Sequence, residues 1–173
     1  EKRLAEYMGF KYCVAVNSHS SALFVALVAA GVGSGTRVLT GVLACSTAAP
    51  SAVCQAGGEL VIVESREDMS VDVQDLAWKA EQTGARYFLL SHLHCCSLNT
   101  LEVVNACNAR GIVVIEDCAD SLGSWCDGRH IGHQGLVSCV SVQADTIIPC
   151  GQGGFAATDD VGLAASMAAL SGS

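Results

Sequence analysis

Five short apolar runs recur along the chain: "YCVAV" from Tyr12, "RVLTG" from Arg37, "ELVIVES" from Glu59, "YFLLSH" from Tyr87 and "GIVVIED" from Gly111. Runs this short cannot separate a strand from a buried helix on their own, but here each is parted from the next by a longer segment of helical period. Strands alternating with helices build parallel βαβ units. The expected fold is therefore α/β, a mostly parallel sheet with helices on both faces. The intervening helices have readable edges. "SSALFVALVAAG" stops at Gly31, "VDVQDLAWKAEQTG" starts after Ser70 or Asp72 and stops at Gly84, and Asn99 or Thr100 opens the next, which stops at Gly111. Leu76 and Ala80 on one helix, and Leu101 and Val104 on the other, fall at core-facing spacing. Beyond the fifth run, "DGRHIG" reads as a turn between extended segments, "LVSCVSVQ" and "GGFAATDD" read as two further strands, and a last helix begins near Asp159 or Asp160.

The 173 residues suffice for one continuous domain with a hydrophobic core, and no repeat or Pro-rich linker divides them. The apolar runs are broken by Gly, Ser, Asp or His long before the length a membrane helix requires. Net charge is −8 and the nine Lys and Arg are scattered, which argues against a nucleic-acid partner. Ten cysteines form no CxxC pair and mostly lie in apolar runs, the pattern of buried, reduced thiols in a cytoplasmic protein. The window "SHLHCC" gathers His92, His94, Cys95 and Cys96, but its spacing does not match a closed zinc site, so no metal is expected and the segment reads as a loop at the sheet edge. His130 and His133 flank the hairpin and read as surface residues. The opening "EKRLAEYMGF" is an amphipathic helix without targeting character, and the chain stops in "AALSGS", as a segment of a longer protein would.

Two stretches carry chemistry. Asp117 closes the run "GIVVIED", at the strand end where open parallel sheets place ligand groups; a strand-end acid can equally cap a loop. "NSHSSAL" sets Asn17, Ser18, Ser20 and Ser21 at a helix start, a cradle for a phosphate or simply an N-cap.

Taken in order, "AEYMGFKYCVAVNSHSSALFVAL", "IEDCADSLGSWCDGRHIGHQG" and "SVQADTIIPCGQGGFAATDD" resemble the DegT/DnrJ/EryC1/StrS family of pyridoxal 5'-phosphate (PLP) dependent sugar aminotransferases. The resemblance implies a fold type I, aspartate aminotransferase-like large domain over residues 1–173, with the family's smaller C-terminal domain absent. It implies that Asp117 faces the cofactor's pyridine nitrogen and that Ser18, His19, Ser20, Ser21 and Ser141 surround its phosphate. The family's stacking aromatic falls near Leu43 to Cys45, where none is present, and its Gln or His beside the phenolic oxygen is Asp120. His19-Ser20 replaces a usual Gly-Thr pair, so the imidazole is expected to crowd the phosphate or donate to it. The resemblance also implies a homodimer with sites at the interface, a keto sugar and an amino donor as substrates, and a cytoplasmic location.

The family's Schiff-base lysine lies five residues after that serine. Here the position is Thr146, and the chain's three lysines, Lys2, Lys11 and Lys79, all precede it. A hydroxyl cannot form a Schiff base. Transamination is thus expected to be impaired or lost, with PLP held non-covalently if at all. A catalytically inactive homologue serving as a dimerisation or regulatory partner is the alternative.

Overall fold

A computed structural model describes residues 1–43, 47–93 and 99–172. The strands are β1 (Tyr12–Val16), β2 (Arg37–Gly41), β3 (Glu59–Val63), β4 (Tyr87–Ser91), β5 (Val113–Asp117), β6 (Trp125–Cys126), β7 (Arg129–His130), β8 (Val137–Ser141) and β9 (Gly154–Thr158). The helices are α1 (Lys2–Met8), α2 (His19–Ala29), α3 (Ala48–Gln55), α4 (Val73–Thr83), α5 (Thr100–Asn108) and α6 (Val161–Ser171).

Seven strands form one sheet in the order β1-β9-β8-β5-β4-β2-β3, and β6 pairs with β7 in a small hairpin. β8, β5, β4, β2 and β3 run parallel, whereas β9 is antiparallel to both β8 and β1. β8 and β9 are consecutive in the chain, and the twelve residues between them carry no helix, so the chain returns beside β8 as an antiparallel neighbour rather than through a helical crossover. All five apolar runs are strands. β2, β4 and β5 are buried on both faces, whereas β1 and the edge strand β3 are largely open.

One face carries a core of Leu23, Leu27, Val38, Leu89, Ile115, Val137 and Met167, which seats α2, α3 and α6. The other carries Leu39, Leu76, Phe88, Val103, Val114 and Cys107 under α4 and α5. A third cluster, with Met8, Phe10, Val140 and Phe155, packs α1 on the same side. Asp72 caps α4 by accepting from the Gln74 and Asp75 amides at 2.9 and 3.2 Å, and Gly84 ends that helix in the left-handed region.

Three expectations are corrected. Val104 faces the core as expected, but Leu101 points outward and is 40% exposed; Thr100, Val103 and Cys107 complete the buried stripe. His130 is buried rather than a surface residue: Nε2 accepts from the Gly123 amide at 2.8 Å, and Nδ1 donates to the Ile131 carbonyl at 2.6 Å. His133 is half-buried, stacks on Phe10 at 3.7 Å between ring centroids and donates to the Met8 carbonyl. Of the described cysteines, Cys107, Cys118 and Cys139 are buried, Cys13 and Cys126 are intermediate, and Cys54 and Cys150 are exposed.

Candidate active site

The parallel strands β4, β5 and β8 end side by side, and the register that sets Ser91 opposite Asp117 and Asp117 opposite Cys139 gathers their last residues on one edge. Alternation along β5 sends its last two residues to opposite faces. Asp117 turns toward α2 and Glu116 toward the other side, and both are fully buried.

Asp117 Oδ1 accepts from His19 Nε2 at 2.8 Å and from the Ala119 amide at 3.2 Å, and Oδ2 accepts from the Ser91 hydroxyl at 3.3 Å. Glu116 Oε2 accepts from His92 Nε2 at 2.7 Å, while Oε1 takes the Gln134 and Gly135 amides. Each acid is thus supplied with donors from several elements, the condition for keeping a carboxylate out of water.

The start of α2 lies across the sheet beside this edge. Ser18 is the N-cap, accepting from the Ser21 amide at 3.1 Å, and its hydroxyl lies 2.9 Å from that of Ser21, which in turn donates to Asn17 Oδ1 at 2.6 Å. Gly154, the first residue of β9, meets the α2 start at close range. A Cβ there would stand 2.6 Å from the Ser18 carbonyl oxygen and 2.8 Å from the His19 amide nitrogen, so only glycine lets the helix start rest on β9. Ser141, buried at the end of β8, pairs with Gly154 across the ladder, and its hydroxyl accepts from the Gln143 amide at 3.4 Å. Helix geometry leaves the first amides of α2 without intrahelical partners, and Ser18 satisfies that of Ser21.

The structure therefore brings Ser18, His19, Ser20, Ser21, Asp117 and Ser141 to one end of the sheet. His19 departs from its expected part. Its backbone lies at the helix start, but its side chain reaches Asp117 instead of turning to a phosphate. Asp120 is half-buried in the turn beyond β5, and Cys45 lies outside the described residues. Thr146 is in a turn of its own, its hydroxyl donating to the Gln143 carbonyl at 2.8 Å. Lys79 Nζ is half-buried and pairs with Asp75 at 2.7 Å on α4, and Lys2 pairs weakly with Glu6 on α1.

Sequence reasoning missed Glu116 and the role of His92. Among the described residues, ligand atoms of His92, Glu116 and Cys118 lie within 4.8 Å of one another, donor types that can hold a metal. Glu116 already accepts three N–H donors, and burial pushes the Cys118 thiol well above its usual range, so His92 and Glu116 work as a hydrogen-bonded tie in the core with the neutral thiol beside them. His94, Cys95 and Cys96 lie outside the described residues. Beyond Ser91 a cleft of about 430 Å³ opens, lined mainly by apolar groups such as Leu43, Met69, Val71 and Leu90; it includes His92 but neither His19 nor Asp117.

The fold is that of PLP-dependent aminotransferases. It superposes with a TM-score of 0.90 on the crystal structure of the aminotransferase from Psychrobacter cryohalolentis, at 27% identity, covering 96% of this chain and 42% of that one. The family model of the DegT/DnrJ/EryC1/StrS aminotransferases matches residues 1–172, and the chain belongs to that family. It is similar to the L-glutamine:2-deoxy-scyllo-inosose aminotransferase of Streptomyces kanamyceticus, 31% identical over 167 residues, covering 96% of this chain and 39% of the relative. It is also similar to the GDP-perosamine synthase of Caulobacter vibrioides, 32% identical over 174 residues, covering 99% of this chain and 46% of the relative. The chain thus spans less than half the length of these proteins.

Proposed function

We propose that the chain is the large-domain portion of a protein from the keto-sugar aminotransferase lineage in which Thr146 stands where the Schiff-base lysine would be, so that transamination is impaired or lost. The observation that carries this reading is the absence of any lysine after Lys79, together with a Thr146 hydroxyl bonded back into its own turn. PLP, when bound in such a site, supplies an electron sink that stabilises a carbanion next to its ring.

The residues present fit that group at one end only. The α2 start, Ser18, Ser21 and Ser141 suit an anion such as its phosphate, by the positive end of the helix dipole and by their hydroxyls. The ring end does not fit. No amine is at hand to hold the cofactor covalently, and the Asp117 oxygens are already supplied with donors. Any PLP is therefore held non-covalently, and a keto sugar and an amino donor remain the substrate classes of the lineage.

A second reading is a dimerisation or regulatory partner, in which a homodimer or a pairing with an active family member sets the role and the chain works in the cytoplasm. The intact core and satisfied strand-end acids favour it, since the fold persists where the amine does not. The test is a half-reaction: the chain is mixed with PLP and an amino donor, and formation of pyridoxamine phosphate is followed. No conversion above that of PLP alone is expected, and conversion at a catalytic rate contradicts the reading. Size measurement with and without an active family member examines the partner role.

A further inference from the structure

We propose that His19 is a built-in occupant of the cofactor-ring position, its imidazole N–H taking the Asp117 contact that a pyridinium N–H would need, so that PLP is excluded independently of residue 146. The inference rests on the reading above, that Asp117 is the acid which faces a pyridine ring in this lineage.

Three observations hold the imidazole in place. The backbone of His19 is held close against β9, because the α2 start is capped by Ser18 and rests on Gly154, where a Cβ would stand 2.8 Å from the His19 amide nitrogen. The carboxylate cannot turn away, because Oδ2 takes the Ser91 hydroxyl and Oδ1 takes the Ala119 amide. Between the two, Nε2 and Oδ1 are 2.8 Å apart and both side chains are almost completely shielded, 5% and 0% exposed. A ring cannot enter a gap of hydrogen-bond length. It must displace the imidazole, and the chemistry of the two occupants is alike: each is a planar aromatic nitrogen heterocycle that donates one N–H to a buried carboxylate. With the small residue that the family usually carries at this position, the same backbone would leave that volume open.

Replacing Thr146 by lysine therefore does not suffice to rebuild the site. The experiment compares the parent chain with Thr146→Lys, His19→Gly and the double variant, each incubated with PLP, reduced with borohydride and mapped by peptide mass, with thermal melting in parallel. Losing a hydrogen bond to a charged group corresponds to about tenfold or more in binding. The double variant is expected to gain the pyridoxyl mass at residue 146 at about tenfold or more lower PLP concentration than Thr146→Lys alone. PLP is expected to raise the melting temperature of His19→Gly and to leave that of the parent unchanged.

Equal labelling of Thr146→Lys and the double variant overturns the proposal, as does failure of the double variant to label at all when it is folded. Should the glycine variants not fold, the parent carries the test through the nitrogen-bound proton of His19 in a ¹⁵N NMR spectrum. That signal persists in excess PLP if the proposal holds, and its loss on PLP addition overturns it. Conversion of an amino donor by the parent would instead refute the reading of Thr146, an outcome separable from all of these.

Discussion

Glu116 and Asp117, adjacent at the end of β5, each hold a histidine on opposite faces of the sheet: His92 lies 2.7 Å from Glu116 Oε2 and His19 lies 2.8 Å from Asp117 Oδ1. One acid belongs to the candidate site and the other ties the β4 end to the segment before β8, through the Gln134 and Gly135 amides. Removing one member of such a buried pair leaves the remaining groups unpaired and costs about 3–5 kcal/mol. Glu116→Ala is expected to lower stability by that amount in urea denaturation, with no change in the slope of the transition.

The helix start depends on a glycine. Gly154→Ala places a methyl 2.6 Å from the Ser18 carbonyl oxygen, which forces α2 off β9 and costs about 1–3 kcal/mol of overpacking strain. Denaturation of the variant measures the loss, and a destabilisation below about 0.5 kcal/mol would mean that the helix start is free to shift.

His130 makes stability depend on pH. Burial pushes its imidazole below the ordinary value of 6.5, and the Gly123 amide needs Nε2 as an acceptor, so the folded form is neutral with the proton on Nδ1. Its folded value is depressed. The contribution is complete above about pH 6.5 and is lost as the pH falls toward the folded value, because the unfolded chain takes up the proton first. Between about pH 7 and 5 the parent should lose stability more steeply than His130→Gln, by up to about 1.4 kcal/mol per pH unit. Parallel slopes in the two proteins would contradict the burial argument.

The thiols should divide by burial. Cys54 and Cys150 are exposed and are expected to alkylate in the native protein. Cys107, pushed to about 12, and Cys118 and Cys139, pushed well up by burial, should react only after unfolding. Mass mapping after a brief iodoacetamide pulse distinguishes the two sets.

Much of this was legible in the sequence because strand burial and helix edges are local. "GIVVIED" declares a buried strand and places Asp117 at its end, and Asp72 and Gly84 mark α4 by their own backbone chemistry. The rest depends on contacts between distant segments. Nothing near His19 in sequence shows that its imidazole meets Asp117, 98 positions away, and Glu116 reads as one polar residue in an apolar run until β4 delivers His92. His130 read as surface because its neighbours Asp127, Gly128 and Arg129 form a turn. Its burial comes from the ring turning inward to meet the Gly123 amide. Leu101 was misread because an apolar residue in the first turn of a helix need not lie on its buried stripe.

The central claim is that residue 146 carries no amine chemistry in a fold built for it. The measurement that tests it most directly is borohydride reduction of the parent chain with PLP, followed by peptide mass mapping across residues 141–158. The account predicts no pyridoxyl increment on that peptide, with any labelling confined to Lys2, Lys11, Lys79 and the N-terminal amine. An increment on the peptide that contains Thr146 would contradict it.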